Sequence, residues 1–197
     1  MSEVRQLLVD RIDTAIGEII LVADHDGNLR AIDWADHETR MRRLLRLHYG
    51  ENGFNLEPAR NPSGLSDVIR RYFAGEVNEI ELLPVATAGT AFQREVWRAL
   101  RDIPAGTTLS YAQLAERIGR PTAVRAVGLA NGSNPVGIVV PCHRVVGANG
   151  ALTGYGGGME RKRWLLENKG VRANDSHSLG LFEKTTVDPL QANQSNR

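Results

Sequence analysis

Ser110-Tyr111-Ala112-Gln113-Leu114-Ala115-Glu116-Arg117-Ile118-Gly119-Arg120-Pro121-Thr122-Ala123-Val124-Arg125-Ala126-Val127-Gly128-Leu129-Ala130 is the stretch that decides the fold. Its first four residues form a capping box, a serine with a glutamine three positions on to reciprocate. Leu114, Ala115 and Ile118 then share one helical face, and Gly119 stops the helix. Pro121 suits a first helical turn, so a second helix is expected from there through Val124, Val127 and Ala130. Two short helices across a tight glycine-containing turn form the helix-turn-helix pattern, although a plain helical hairpin reads the same way. The second helix is unusual for a major-groove reader. Apart from Arg125 its residues are small or apolar, Ala126 and Gly128 among them, with no Asn, Gln or Lys to read base edges. Such a surface suits close approach to a narrow groove.

Downstream, Asn131-Gly132-Ser133-Asn134-Pro135 is rich in turn residues, and Gly137-Ile138-Val139-Val140 reads as a short buried strand. Pro141 cannot donate to a ladder, so pairing should end there. Cys142, the only cysteine in the chain, follows with His143 beside it. A lone cysteine is most often a small buried hydrophobe. Neighbours on a strand point to opposite faces, so the pair is useful only if the chain turns there or a water connects them. The glycine loop Gly154-Tyr155-Gly156-Gly157-Gly158 gives the thiol flexible backbone on its other side and suggests a pocket. Arg161, Lys162 and Arg163 read as a basic cluster, with Trp164 and Leu165 as the apolar face of a closing helix.

Upstream, Thr90-Ala91-Phe92-Gln93 is another capping box, starting a helix with Phe92, Val96, Trp97 and Leu100 on one face. Residues 76–88 read as a linker. Before it, Leu7-Leu8-Val9, Ile19–Val22 and Leu29–Trp34 read as strands, with a turn at Asp24–Gly27. Glu38–His48 carries Met41, Leu44, Leu45 and His48 at helical spacing. Asn61-Pro62 reads as a cap and first helical position, with the helix running to Phe73. His25, His37 and His48 read as surface or satisfied core residues, not metal ligands. The fold class is therefore α/β (α+β), in two small domains, 1–84 and 85–170. The polar tail 171–197 reads as disordered.

A hydrophobic share of 42% is enough for a core, and no apolar run approaches the ~20 residues that span a bilayer. One cysteine excludes an internal disulfide and a multi-cysteine zinc site, and fits a reducing cytoplasm. The net charge of +1 hides an asymmetry. Residues 1–84 hold 10 Lys/Arg against 15 Asp/Glu, whereas residues 85–170 hold 11 against 5. A basic second domain favours nucleic acid through phosphate contacts, though ordinary scatter of surface charge gives the same count.

Pro141-Cys142-His143-Arg144-Val145, followed by the Tyr155-Gly156-Gly157-Gly158 loop and preceded by the two helices, closely resembles the methylated-DNA–protein-cysteine methyltransferases. These are the 6-O-alkylguanine repair proteins, and the bacterial single-protein form is nearest. The resemblance runs from about Leu7 to about Gly170. It implies a ribonuclease H-like first domain that acts as a support, and a second, helix-turn-helix alkyltransferase domain set in the minor groove of double-stranded DNA. It implies that Arg125 fills the gap left by an extruded alkylguanine and that Tyr111 helps rotate the nucleotide out, with Ala126 and Gly128 on the same surface. Cys142 takes the alkyl group and His143, through a water, takes the thiol proton. Asn134 steadies the turn as a hinge, and Val145, Tyr155 and Gly156 stand at backbone positions around the guanine. Gly156 departs from the serine of some members, but a backbone donor needs no side chain.

The implied reaction is single-turnover transfer from 6-O-alkylguanine, and on the same logic 4-O-alkylthymine, in a monomer with no cofactor, metal or membrane. One departure stands out. Where the family usually has a glutamate that accepts a hydrogen bond from the active-site histidine, this chain has Lys169, which predicts a weaker relay and a slower reaction. Two other classes fit less well. Binding-only relatives lack the cysteine, and a cysteine hydrolase would need an orienting acid, an oxyanion site and many turnovers.

Overall fold

The structure, a computed structural model, describes residues 4–76 and 79–168. The first domain is built on a four-stranded sheet in the order β3-β2-β1-β4. Strands β1 (Arg5–Thr14), β2 (Gly17–Ala23) and β3 (Leu29–Trp34) form an antiparallel meander. The β2–β3 turn is shaped by Asp24, whose carboxylate accepts from the backbone N–H groups of Asp26 and Asn28, while Gly27 supplies a φ of 81°. Strand β4 (Phe54–Pro58) returns parallel to β1 and was not apparent in the sequence, because its five residues are mostly exposed and end in proline. Helices α1 (Glu38–Tyr49) and α2 (Leu65–Phe73) pack on the sheet. Met41, Leu44 and Leu45 of α1 are buried as their spacing predicts.

Two sequence expectations about this domain need correction. The helix expected from Pro62 begins at Leu65, because Asn61, Ser63 and Gly64 all have positive φ and make an irregular turn first. Asn61 still serves α2, since its side chain accepts from the Asp67 N–H at 3.2 Å. The stretch read as a linker is also tied down. Ile80 and Leu83 are buried, and Arg101 donates to the carbonyls of Glu81 and Leu83. Val85 pairs with Leu29, so the chain leaves the first sheet only after it has added to its edge.

The second domain opens with α3 (Ala91–Arg101), started by the capping box at Thr90 and Gln93. Trp97 is buried and its indole N–H donates to the Ala130 carbonyl at 2.8 Å. Strand β5 (Leu109–Ser110) leads into α4 (Tyr111–Arg117), again with both halves of the expected capping box formed. Helix α5 (Val124–Gly132) starts three residues after Pro121, which the sequence placed at its beginning. Residues 121–123 form turns instead, with Ala123 N–H bonded to the Arg120 carbonyl. Strand β6 (Val145–Val146) pairs parallel with β5, and α6 (Met159–Glu167) closes the domain. The two domains share one apolar core that runs from Ile12 to Leu165. Among the described residues no helix is long and apolar enough to cross a membrane.

Candidate active site

The apolar run before the cysteine is buried, as expected, but it is not a strand. It is a pair of tight turns. Val139 N–H bonds to the Gly137 carbonyl at 2.8 Å around Ile138, which sits at a φ of 72°. Cys142 N–H bonds to the Val140 carbonyl at 2.8 Å around Pro141, at φ −81° and ψ 63°. These are a γ-turn and an inverse γ-turn. A β-branched residue at positive φ is strained and persists only where its surroundings hold it. Asn134 provides that hold. Buried to 1% exposure, it accepts from Val136 N–H at 3.0 Å and donates to the Val140 carbonyl at 2.8 Å, so both ends of the turn hang on one amide.

Cys142 then heads a single turn of 3-10 helix, Cys142–Arg144. The chain does turn at the thiol, so the strand alternation that would separate Cys142 from His143 does not apply. His143 is fully buried, its ring edge-on to Tyr155 with centroids 6.4 Å apart. Arg144 is buried too, donating to the Ile103 carbonyl and to Glu81 Oε1 at 2.9 Å, which anchors the turn to α3 and to the segment joining the domains. Val145 N–H closes the 3-10 turn on the Cys142 carbonyl.

Cys142 faces a small cavity, about 20 Å³, shared with Asn134, Tyr155, Gly156 and Gly157. Its opposite wall comes from the first domain: Ile32, Asp33, Trp34 and Arg40. The first domain is thus part of the pocket and not only a support. Arg40 of α1 reaches across, pairing with Asp33 at 2.5 Å and donating to the carbonyls of Gly132 and Asn134 at 3.0 and 3.3 Å. Gly156 and Gly157 of the glycine loop lie close against this wall. A Cβ on Gly157 would fall 2.2 Å from Trp34 Nε1, and one on Gly156 2.6 Å from Arg40 Cζ. Burial pushes the Asp33 carboxyl up, with the Arg40 charge opposing it. Burial also pushes the Cys142 thiol up; hydrogen bonding from the Asn134 side chain and the charges of Arg40 and Lys162 work the other way. The Tyr155 phenol is held well above its ordinary value, first by burial and then by the nearby thiol.

Lys162 does not belong to a surface basic cluster. It is fully buried, and its Nζ donates to the Val145 and Thr153 carbonyls at 2.6 and 2.7 Å. One signal was available in the sequence: Lys162, Leu165 and Leu166 have the i, i+3, i+4 spacing of an inward helical face. Nothing in the local pattern marked Arg40 or Asp33.

The remaining expected site residues lie outside this cavity. Tyr111, half-buried at the start of α4, lays its ring against α5, 3.9 Å from where a Gly128 Cβ would be. Arg125 and Ala126 are exposed on the outer face of α5. The β5–β6 ladder pairs Ser110, the residue before Tyr111, with Val146, four residues after Cys142. That pairing fixes the helix pair relative to the thiol. Lys169 lies outside the described residues.

Comparison with known proteins covers nearly all of the described chain. Residues 8–87 match the family described as 6-O-methylguanine DNA methyltransferase, ribonuclease-like domain, and residues 91–171 match the DNA binding domain of the same description. A methylated-DNA–protein-cysteine methyltransferase of Shigella flexneri is 53% identical over 165 residues, 84% of this chain and 96% of that protein. One from Mycolicibacterium paratuberculosis is 45% identical over 175 residues, 87% and 96% of the two chains. Among solved structures, Mycobacterium tuberculosis OGT in complex with DNA is similar at a TM-score of 0.68 and 43% identity, covering 84% of this chain and 93% of that one. The O6-methylguanine-DNA methyltransferase of Pyrococcus kodakaraensis is similar at 0.62 and 29%, covering 84% and 99%.

Proposed function

The chain belongs to the 6-O-methylguanine DNA methyltransferase family, and on that premise we propose how its own residues carry the reaction. It repairs DNA by moving the alkyl group of 6-O-alkylguanine to a cysteine of its own, and Cys142, the only cysteine, is the acceptor. The observation that carries this assignment is the placement of that thiol. It is buried on a tight turn beside His143, facing a cavity walled by both domains.

His143 takes the thiol proton through a water, for which a cavity of about 20 Å³ has room. The thiolate sulfur attacks the alkyl carbon in line. A carbon–sulfur bond forms, the carbon–oxygen bond breaks, and the electron pair stays on guanine oxygen six, where a proton or hydrogen bond stabilises it. Val145 N–H is already engaged with the Cys142 carbonyl, so the backbone donor to that oxygen comes from the Tyr155–Gly156 stretch. The product is a thioether, which no neighbouring group is placed to hydrolyse, and each molecule reacts once.

DNA is held by α4 and α5 acting as a helix-turn-helix. The exposed Arg125 supports the opened stack, the small residues Ala126 and Gly128 permit close approach, and Tyr111 presses on the target nucleotide. The reaction needs no cofactor or metal, and a single-use thiol calls for a reducing compartment such as the cytoplasm. A monomer suffices, because both pocket walls come from one chain. Thymine alkylated at oxygen four presents the same carbon–oxygen bond and is a second substrate on the same chemistry.

Intact-protein and peptide mass spectra after reaction with a methylated duplex test the assignment. One methyl group per molecule, on Cys142, is expected. Transfer to another residue, or repeated turnover, would refute it. Cys142→Ala should keep duplex binding and lose transfer.

A further inference from the structure

The chain is built with arginine: of its 24 Lys and Arg residues only three are lysines. One of the three, Lys162, is flanked by Arg161 and Arg163 and lies inside the protein, at 0% exposure. Arg161 works at the surface of the domain junction, bonding to Asp36 and to the Ile16 carbonyl. Lys162 instead meets two backbone carbonyls. A buried ammonium is costly and is normally paired with a carboxylate. Among the described residues no carboxylate pairs with it, and the charge that acts on it is that of Cys142.

The two carbonyls belong to segments that adjoin the cysteine turn and the cavity. Val145 follows the turn that carries Cys142, and Thr153 immediately precedes the Gly154–Gly157 stretch that lines the cavity. We propose that Lys162 is a positioning residue for alkyl transfer: its ammonium ties the cysteine turn to the glycine loop, and its charge favours the thiolate over the thiol. The proposal rests on Cys142 being the alkyl acceptor.

Lysine suits the place where arginine would not. Its head is compact enough to sit between two carbonyls 2.6 and 2.7 Å away, and unlike guanidinium it gives up its proton when buried. Burial brings its pKa down to about 8, with the Cys142 charge acting in the opposite sense. The other titratable or charged side chains of the elements around it are His143 and Arg144 in the turn that α6 packs on, Tyr155 in the loop, and Glu160, Arg161, Arg163 and Glu167 on α6 itself, both glutamates being exposed. Attraction between ammonium and thiolate is reciprocal. If the lysine helps the thiol ionise, the ionised thiol must hold the proton on the lysine.

With one cysteine in the chain, thiolate ultraviolet absorbance reports Cys142 alone, and three lysines make an isotope-labelled lysine spectrum tractable. In Lys162→Met the thiol should titrate at higher pH. The rate with free 6-O-benzylguanine, which needs no duplex opening, should fall near neutral pH by about tenfold for each unit of that rise. A folded variant with unchanged titration and unchanged rate would overturn the proposal. Should the variant not fold, the unmodified protein decides: Lys162 should titrate lower after Cys142 is benzylated, because the thiolate is gone. Identical titration before and after would overturn the proposal equally. Failure of benzylguanine to alkylate Cys142 in the unmodified protein would count against the acceptor assignment, while the thiol titration would still test Lys162.

Discussion

Gly157 shows how one missing atom shapes the site. A Cβ there would meet the Trp34 indole at 2.2 Å and the Tyr155 ring at 2.7 Å, two groups that are packed and cannot step aside. Gly157→Ala should therefore destabilise by about 1–3 kcal/mol, the usual cost of overpacking, and should slow transfer by moving the loop. A urea midpoint and the rate with free benzylguanine measure the two effects, and a variant that matches the unmodified protein in both would contradict the packing argument. Gly156 differs. Its Cβ would meet the end of the Arg40 side chain, which can move. That difference bears on the departure from serine at this position: a small side chain at 156 is a question of where Arg40 goes, not of whether the backbone fits. Residues of this kind were partly legible in the sequence. The glycine loop and the Cys-His pair announced themselves by type, but the partner that makes each glycine necessary lies more than a hundred residues away on another domain. Trp34 and Arg40 carry no local mark of that duty.

Helices α3 and α4 were the most legible elements, because capping is written in four adjacent residues. Both halves of the boxes at Thr90/Gln93 and Ser110/Gln113 form as read. Where reading by type failed, irregular backbone was the cause. Gly137–Val140 has the composition of a strand, yet it folds into turns held by Asn134, a residue outside the run itself. Pro121 was read as a helix start, but the chain spends three more residues turning before α5 begins. The exposed face of α5 carries a prediction of its own. Arg125→Ala should reduce repair of a methylated duplex far more than reaction with free benzylguanine, by on the order of tenfold or more, since holding an opened stack costs a few kcal/mol and the free base needs none. Equal losses on the two substrates would remove Arg125 from that role. Binding to the duplex should also weaken as salt rises, because phosphate contacts release counterions.

At the scale of the whole molecule, the charge asymmetry was readable from composition, whereas the sharing of one pocket between the domains was not. Pockets are made by side chains converging from distant segments, and periodicity reports only which face of each segment is buried. The first domain also carries carboxyls that link its stability to pH, Asp10 among them. Asp10 is partly desolvated, which pushes its carboxyl up. The bonds it accepts from Ser66, Asn61 and Arg11 outweigh this and leave it below the ordinary value of 3.8. A depressed carboxyl contributes stability above its unfolded pKa and loses it as pH falls through the folded one. Asp10→Asn should therefore lower stability at neutral pH and flatten the decline below about pH 4, as followed by urea unfolding at a series of pH values. An acid decline as steep in Asp10→Asn as in the unmodified protein would exclude this carboxyl as a contributor. The burial of Cys142 has a consequence of another kind. A reagent that works once must first survive the wait, among peroxides and stray electrophiles that attack thiolates. At 6% exposure, with burial opposing its ionisation, the thiol is screened from such reagents. The walls that close over the sulfur keep the protein from growing stale before a damaged base arrives.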